Sequence, residues 1–328
     1  MSTQSWKQRI GVSTLFMPAS RAETFFDALD LAFEAGWRCI EIVPGLWHGN
    51  AGYPRTRWSV GIDLDEISGA ERDRLAKSLS RFPVRCVHSL CVDLNVASRN
   101  RGIRHESIRQ FMLCADLARD IGAVAATFHI GLPSPGDVIG DEQFVIEKNI
   151  DFGKRMADFC EKHGILGGYE NLGSFPTLSQ MAEIIEKVDS PRFGLHLDVG
   201  HAWLVGPTNP VEWVTKLGEH LVNVHMHGTY HRPDRGFENH QSLALDDCTD
   251  FPSLLRALAA KGYKGPFILE IIAKNISAYL AAAQESCDIL LGVAPEAPAA
   301  EHAKTARSSK PRLEAKRLAP LAEEIPTA

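Results

Sequence analysis

The chain has 328 residues, 45% hydrophobic and 23% charged, with a formal net charge of −6. This is enough apolar material for a full core, and it excludes a broadly basic nucleic-acid-binding surface. Seven cysteines (Cys39, Cys86, Cys91, Cys114, Cys160, Cys248 and Cys287), scattered and without a CxxC pair, read as reduced thiols of a cytoplasmic protein. Residues 1–10 lack the apolar core of a signal peptide, and no run approaches the roughly 20 apolar residues of a membrane span.

Taken in order, apolar runs at 10–13, 38–43, 84–88, 123–129, 165–170, 193–198, 221–226 and 267–271 read as strands. Each is followed by apolar residues at helical spacing, over 23–35, 70–80, 107–121, 144–163, 178–188, 211–217, 251–261 and 276–291. In the first helix Phe25, Phe26, Leu29, Ala32 and Phe33 make the stripe, and Gly36 stops it. Repeated β-then-α units over residues 1–293 predict an α/β fold, a closed (β/α)8 TIM barrel. A doubly wound open sheet is the runner-up, but Thr14-Leu15-Phe16-Met17-Pro18 follows the first strand where a glycine-rich phosphate turn would stand, and no nucleotide cofactor is expected. Residues 294–328 shift to Ala, Pro, Lys and Arg and read as a disordered, solvated tail. The long segment 44–69 carries Trp47, His48, Tyr53, Arg55, Arg57 and Trp58, either a lid over a ring or sugar or the loop's own small core.

Acids and imidazoles gather at the strand ends: His88, His129, Glu170, Asp198 with His201, His225 with His227, and Glu270, joined by Glu238 and His240 after the seventh strand. In a barrel these ends share one mouth, so residues distant in sequence become neighbours. Neutral imidazole and ionised carboxylate suit zinc, manganese or iron. A single strand-end histidine is more simply a core residue, but packing the whole set together without cations would be costly.

The pieces His88-Ser89-Leu90-Cys91-Val92-Asp93-Leu94-Asn95, Thr127-Phe128-His129-Ile130-Gly131, Glu170-Asn171, Asp198-Val199-Gly200-His201-Ala202, Val224-His225-Met226, Glu238-Asn239-His240-Gln241-Ser242-Leu243 and Ile268-Leu269-Glu270 resemble, in order, the motifs of the endonuclease IV (AP endonuclease family 2) family. That family sits within the xylose-isomerase-like TIM barrel superfamily, which also holds sugar isomerases and epimerases. The resemblance implies that Glu170, Asp198, His225 and Glu270 are the shared core metal ligands, and that His88, His129, His201, Glu238 and His240 are the further ligands of a three-ion cluster. Two departures stand out. Glu238 replaces an Asp and is followed by Ala244-Leu245-Asp246 without the family's glycines, and Cys91 stands where the nuclease presents an aromatic to DNA, so abasic-DNA cleavage is not implied.

Two mechanisms use this scaffold with one to three Zn2+ or Mn2+ ions. The first, narrowly preferred on sequence, is phosphoester hydrolysis on two or three ions, with Glu170 bridging. The second is sugar isomerisation or epimerisation on one ion, with Glu170 and Glu270 moving a proton and His201 orienting the substrate. A sugar- or anion-binding barrel without turnover is the third. The expected partner is a small sugar or phosphoester, not nucleic acid or membrane, and oligomeric state is left open. Glu41, Trp47, His227 and Arg232 are candidate substrate contacts, His196 a buried core residue, and His231 and Arg235 loop residues that could meet an anion.

Overall fold

Short strands whose two faces are both apolar need cover on both sides, and a closed barrel ringed by helices provides it. The computed structural model describes residues 6–15, 25–44, 62, 64–89, 93–133, 142–173, 175–204, 208–234 and 236–295. Among them the strands are β1 (Ile10–Ser13), β2 (Cys39–Ile42), β3 (Val84–His88), β4 (Ala125–His129), β5 (Leu166–Glu170), β6 (Phe193–Asp198), β7 (Leu221–Met226), β8 (Gly228–Arg232), β9 (Gly236–Gln241) and β10 (Phe267–Leu269). β1 to β7 and β10 form one closed parallel barrel, sealed where Ile10 pairs with Phe267 and Val12 with Leu269. The (β/α)8 expectation therefore holds.

The helices are α1 (Phe25–Glu34), α2 (Gly69–Leu79), α3 (Arg101–Asp120), α4 (Glu142–His163), α5 (Leu178–Val188), α6 (Val199–Leu204), α7 (Pro210–Leu217), α8 (Phe251–Ala260) and α9 (Ile276–Val293). Local chemistry sets their starts. Ser68 with Glu71, and Thr177 with Gln180, form reciprocal capping boxes at α2 and α5. α3 starts at 101 and not 107 because the Asn100 side chain accepts from the backbone N–H groups of Gly102 and Ile103.

Side chains alternate along a strand, so the barrel interior is lined by every second residue. Toward the N-terminal ends Cys39, Val84, Cys86, Ala125 and Ile268 make a small apolar cluster separate from the main core. Two residues further along the same rows stand Glu41, His88, Thr127 and Glu270, with His196, Asn223 and His225 from β6 and β7. Outside, Phe111, Phe128 and Phe152 pack ring against ring at 5.5–5.9 Å, between the barrel and its helices. At the opposite end the Arg9 guanidinium lies over the Trp6, Tyr263 and Phe267 rings and donates to the carbonyls of Gly265 and Tyr263.

One element differs from expectation. The segment after β7 is not a plain loop but an antiparallel hairpin, β8 with β9, turning at Pro233-Asp234 and closing with Gly236 at φ +82°. The Pro-Asp and Gly signals were present between alternating residues, the usual mark of such a turn. No helix among the described residues is long and apolar enough to cross a membrane. Trp47 and its neighbours in the second loop, Cys91, Arg235 and the tail from 296 onward lie outside the described residues.

Candidate metal centre

Glu170 and Asp198 end β5 and β6, Glu270 follows β10, and His225 lies opposite Asp198 in the register of β6 and β7. Their ligand atoms lie within 4.8 Å of one another. Exposure is 1% for Glu170, 0% for Asp198 and His225 and 2% for Glu270, so three carboxylates share one dry space. His225 Nδ1 is 3.2 Å from Glu270 Oε2 and 3.5 Å from both Glu170 Oε1 and Asp198 Oδ2. It aligns for a hydrogen bond with none of them, and Glu270 Oε1 also lacks a partner among the described residues. Buried polar atoms are rarely left in this state. A divalent cation at the centre of the group would satisfy them, and one nitrogen with three carboxylates suits manganese, zinc or magnesium.

Electrostatics agree. Burial alone would raise the carboxyl pKa of Glu170, but His129 and three further imidazoles drive it well below the usual range. Glu270 is likewise opposed by burial yet held at about 2, chiefly by His225. For His225, burial favours the neutral ring, and Glu270 and Glu41 overcome that to raise its pKa well above the ordinary value. In the cation-free protein His225, His88 and His201, whose pKa values are all raised, supply the positive charge that the carboxylates require, while burial holds His129 below its ordinary value.

A second tier surrounds the first. His88 Nε2 and His129 Nε2 each stand 3.0 Å from Glu170 Oε2, and His88 Nδ1 faces the Ser89 carbonyl at 2.8 Å. With Nδ1–H donated to that carbonyl, Nε2 meets the carboxylate only as a protonated ring or across a cation. Burial opposes the proton, but Glu170 outweighs it and lifts His88 to about 9. His201 Nδ1 is 3.0 Å from the Asn171 carbonyl, and its backbone N–H donates to Asp198 Oδ1 at 2.7 Å. His129, His201 and His240 are 19%, 14% and 13% exposed at the side chain, and they form the rim that meets the mouth.

The remaining candidates fall elsewhere. Glu238, expected as an outer-ion ligand, is paired with Arg232 at 3.0 Å on the hairpin, because diagonal neighbours on paired strands attract. Arg232, read as a substrate contact, is occupied by that pair. His227, also read as a substrate contact, is fully buried behind Asp198, with Nε2 3.0 Å from both carboxylate oxygens. Its Nδ1 accepts the His240 backbone N–H at 2.9 Å, which leaves Nε2–H to donate to Asp198. Glu41, the third such candidate, lies beneath the group and not on the pocket wall, with both oxygens engaged by His225 and Asn223. His240 does reach the centre, its Nδ1 3.4 Å from Glu270 Oε2, on a backbone at φ +57° that the His227 bond and Ile272 N–H to His240 O hold in place.

Asn171 was quoted in a motif but given no role, and the structure supplies one. Its side chain accepts from Asp198 N at 2.8 Å and donates to Asp198 O at 2.9 Å, locking the ends of β5 and β6 together. Gly200 is equally constrained. A Cβ there would stand 2.0 Å from His227 Cε1 and 2.8 Å from Nδ1. Gly200→Ala is therefore expected to cost about 1–3 kcal/mol through overpacking and to push His227 off Asp198. A denaturant midpoint indistinguishable from the unaltered chain would contradict this.

A closed parallel barrel with a buried carboxylate and imidazole cluster at the C-terminal strand ends defines an α/β barrel with a candidate metal site. The model of the xylose isomerase-like TIM barrel family matches residues 29–303, and the chain belongs to that family. It is 27% identical over 199 residues to uncharacterised protein MJ1311 of Methanocaldococcus jannaschii, a match spanning 58% of this chain and 64% of that relative's length. Among solved structures it resembles a D-tagatose 3-epimerase-like protein (TM-score 0.67, 24% identity, 87% of this chain and 96% of the other). It also resembles the D-psicose 3-epimerase of Clostridium cellulolyticum H10 (0.67, 14%, 87% and 99%). An L-ribulose 3-epimerase is similar too (0.65, 17%, 87% and 94%).

Proposed function

We propose that this chain is a divalent-metal-dependent enzyme that moves a proton at the carbon next to the carbonyl of a sugar-like substrate, as an epimerase or isomerase. The observation that carries the reading is where the unsatisfied atoms lie. His225 Nδ1 and Glu270 Oε1 both belong to the four-donor group, whereas His88, His201 and His240 around it are engaged by protein oxygens, and the other buried imidazole nitrogen without a partner among the described residues is Nε2 of His196, packed against His225. One cation completes that group, and the sequence-level preference for a hydrolytic cluster weakens with Glu238 withdrawn to Arg232. The structural neighbours described as sugar epimerases support the same reading.

Bound there, a divalent ion supplies polarisation of the substrate carbonyl, which acidifies the adjoining C–H. Glu270 Oε1, which has no hydrogen-bond partner among the described residues, takes the proton. Glu170 stands across His225 Nδ1 from it and serves the other face through Oε1, because His88 and His129 hold its Oε2. His201 and His240 at the rim orient substrate hydroxyls.

A second reading, phosphoester hydrolysis on two or more ions, is favoured by two flanking donor groups: His88 and His129 share Glu170 with the first group, and His227 and His240 share Asp198 with it. Incubating Mn2+-loaded protein in D2O with ketose and phosphoester panels separates the two. Deuterium beside the carbonyl and a new epimer or isomer, without phosphate release, are expected. Phosphate release without deuterium uptake would overturn the proposal.

A further inference from the structure

Glu41 is a fully buried carboxylate in β2, on the far side of His225 from the cation group. Its Oε1 is 2.9 Å from His225 Nε2, and its Oε2 accepts from Asn223 Nδ2 at 3.0 Å. Asn223 stands two residues before His225 on the same strand, and its own Oδ1 faces Val224 N at 3.0 Å, so the amide presents its NH2 to Glu41. With Asn223 donating to Oε2, the contact of Glu41 Oε1 with His225 Nε2 at 2.9 Å has the geometry of an Nε2–H donated to a carboxylate oxygen. That leaves Nδ1, the nitrogen 3.2–3.5 Å from Glu270, Glu170 and Asp198, as the one able to offer a lone pair. The ring cannot turn freely. His196 packs edge to face against it at 3.9 Å, and is itself held through Nδ1 by Thr127 Oγ1 at 2.5 Å.

We infer that Glu41 is a positioning residue for the cation site: by anchoring Nε2–H of His225 against Asn223, it dedicates Nδ1 to the metal without touching metal or substrate. Carboxylate partners behind ligating histidines fix ring orientation and tautomer, and their loss typically weakens metal binding about 10–100-fold. Glutamine at position 41 keeps the shape but not the pattern. Its one oxygen can serve His225 or Asn223, and its NH2 then confronts the other. When the NH2 faces His225, it favours the tautomer with Nε2 bare and Nδ1 protonated, which cannot ligate through Nδ1. The inference rests on the reading of Glu170, Asp198, His225 and Glu270 as a cation site.

The test is calorimetric titration of metal-free protein with Mn2+, together with long-range 1H–15N correlation spectra of the Zn2+-loaded protein labelled at histidine, with His225 assigned by His225→Gln. Expected are Glu41→Gln binding Mn2+ about 10–100-fold more weakly than the unaltered chain, and in the unaltered chain a metal-bound Nδ1 with a protonated Nε2 on His225. Equal Mn2+ affinity in both proteins, or ligation of His225 through Nε2, would overturn the inference while leaving the cation site standing. No Mn2+ binding by the unaltered chain would remove both. The tautomer measurement needs no change at position 41, so the inference stays open to refutation even should Glu41→Gln not fold.

Discussion

Glu270→Gln is expected to lower turnover of a responsive ketose by roughly 10²–10⁴-fold, the range that a positioned acid or base contributes, with the barrel intact. The side chain ends the β10 row at the mouth, and its Oε1 is bonded to no described residue, so little structure depends on it. Its backbone holds what the fold needs, with its N–H on the Met226 carbonyl and its own carbonyl facing His240 Nδ1 at 3.1 Å. The amide removes the charge that contributes most to raising the His225 pKa, so the cation-free variant is expected to be somewhat less stable while keeping the barrel. The solvent-deuterium assay should lose its signal together with product formation, and undiminished deuterium uptake by Glu270→Gln would remove Glu270 from the mechanism.

Mn2+ at about one hundred times its dissociation constant should stabilise the fold by about 2.7 kcal/mol, a rise in melting temperature of roughly 4–5 °C for a domain of this size. Chelation should reverse it. The rise should be pH-dependent in a defined direction. The carboxylates around His225 hold its pKa well above the ordinary value despite burial, so in the cation-free protein Nδ1 is protonated through neutral pH. A cation takes that nitrogen only as the proton leaves, so Mn2+ stabilisation grows between pH 6 and pH 8. Differential scanning calorimetry at the two values checks this. An equal rise at both, or a smaller one at pH 8, would contradict the proton exchange.

The barrel and the inner donors were legible in the sequence because both follow simple periods. Apolar runs alternating with helical stripes leave little choice of architecture, and acids or histidines at the run ends fall at one mouth in a parallel barrel. The convergence of Glu170, Asp198, His225 and Glu270 on one mouth was legible this way. Other positions were set by contacts that no one-dimensional pattern carries. Glu41 reads as pocket lining until the register of β2 puts it beneath His225, and His227 reads as a substrate contact until the His240 backbone N–H claims its Nδ1. Glu238 fits a ligand motif by spacing alone, yet pairing of β8 with β9 brings Arg232 within reach first. Asn171 could have been suspected, since a buried amide next to a strand-end acid needs backbone partners.

Anomalous scattering from a crystal of the Mn2+-saturated protein, collected near the manganese absorption edge, tests the central claim most directly. A strong peak bounded by Glu170, Asp198, Glu270 and Nδ1 of His225 is the predicted result. Full occupancy elsewhere with nothing among those four residues would contradict it.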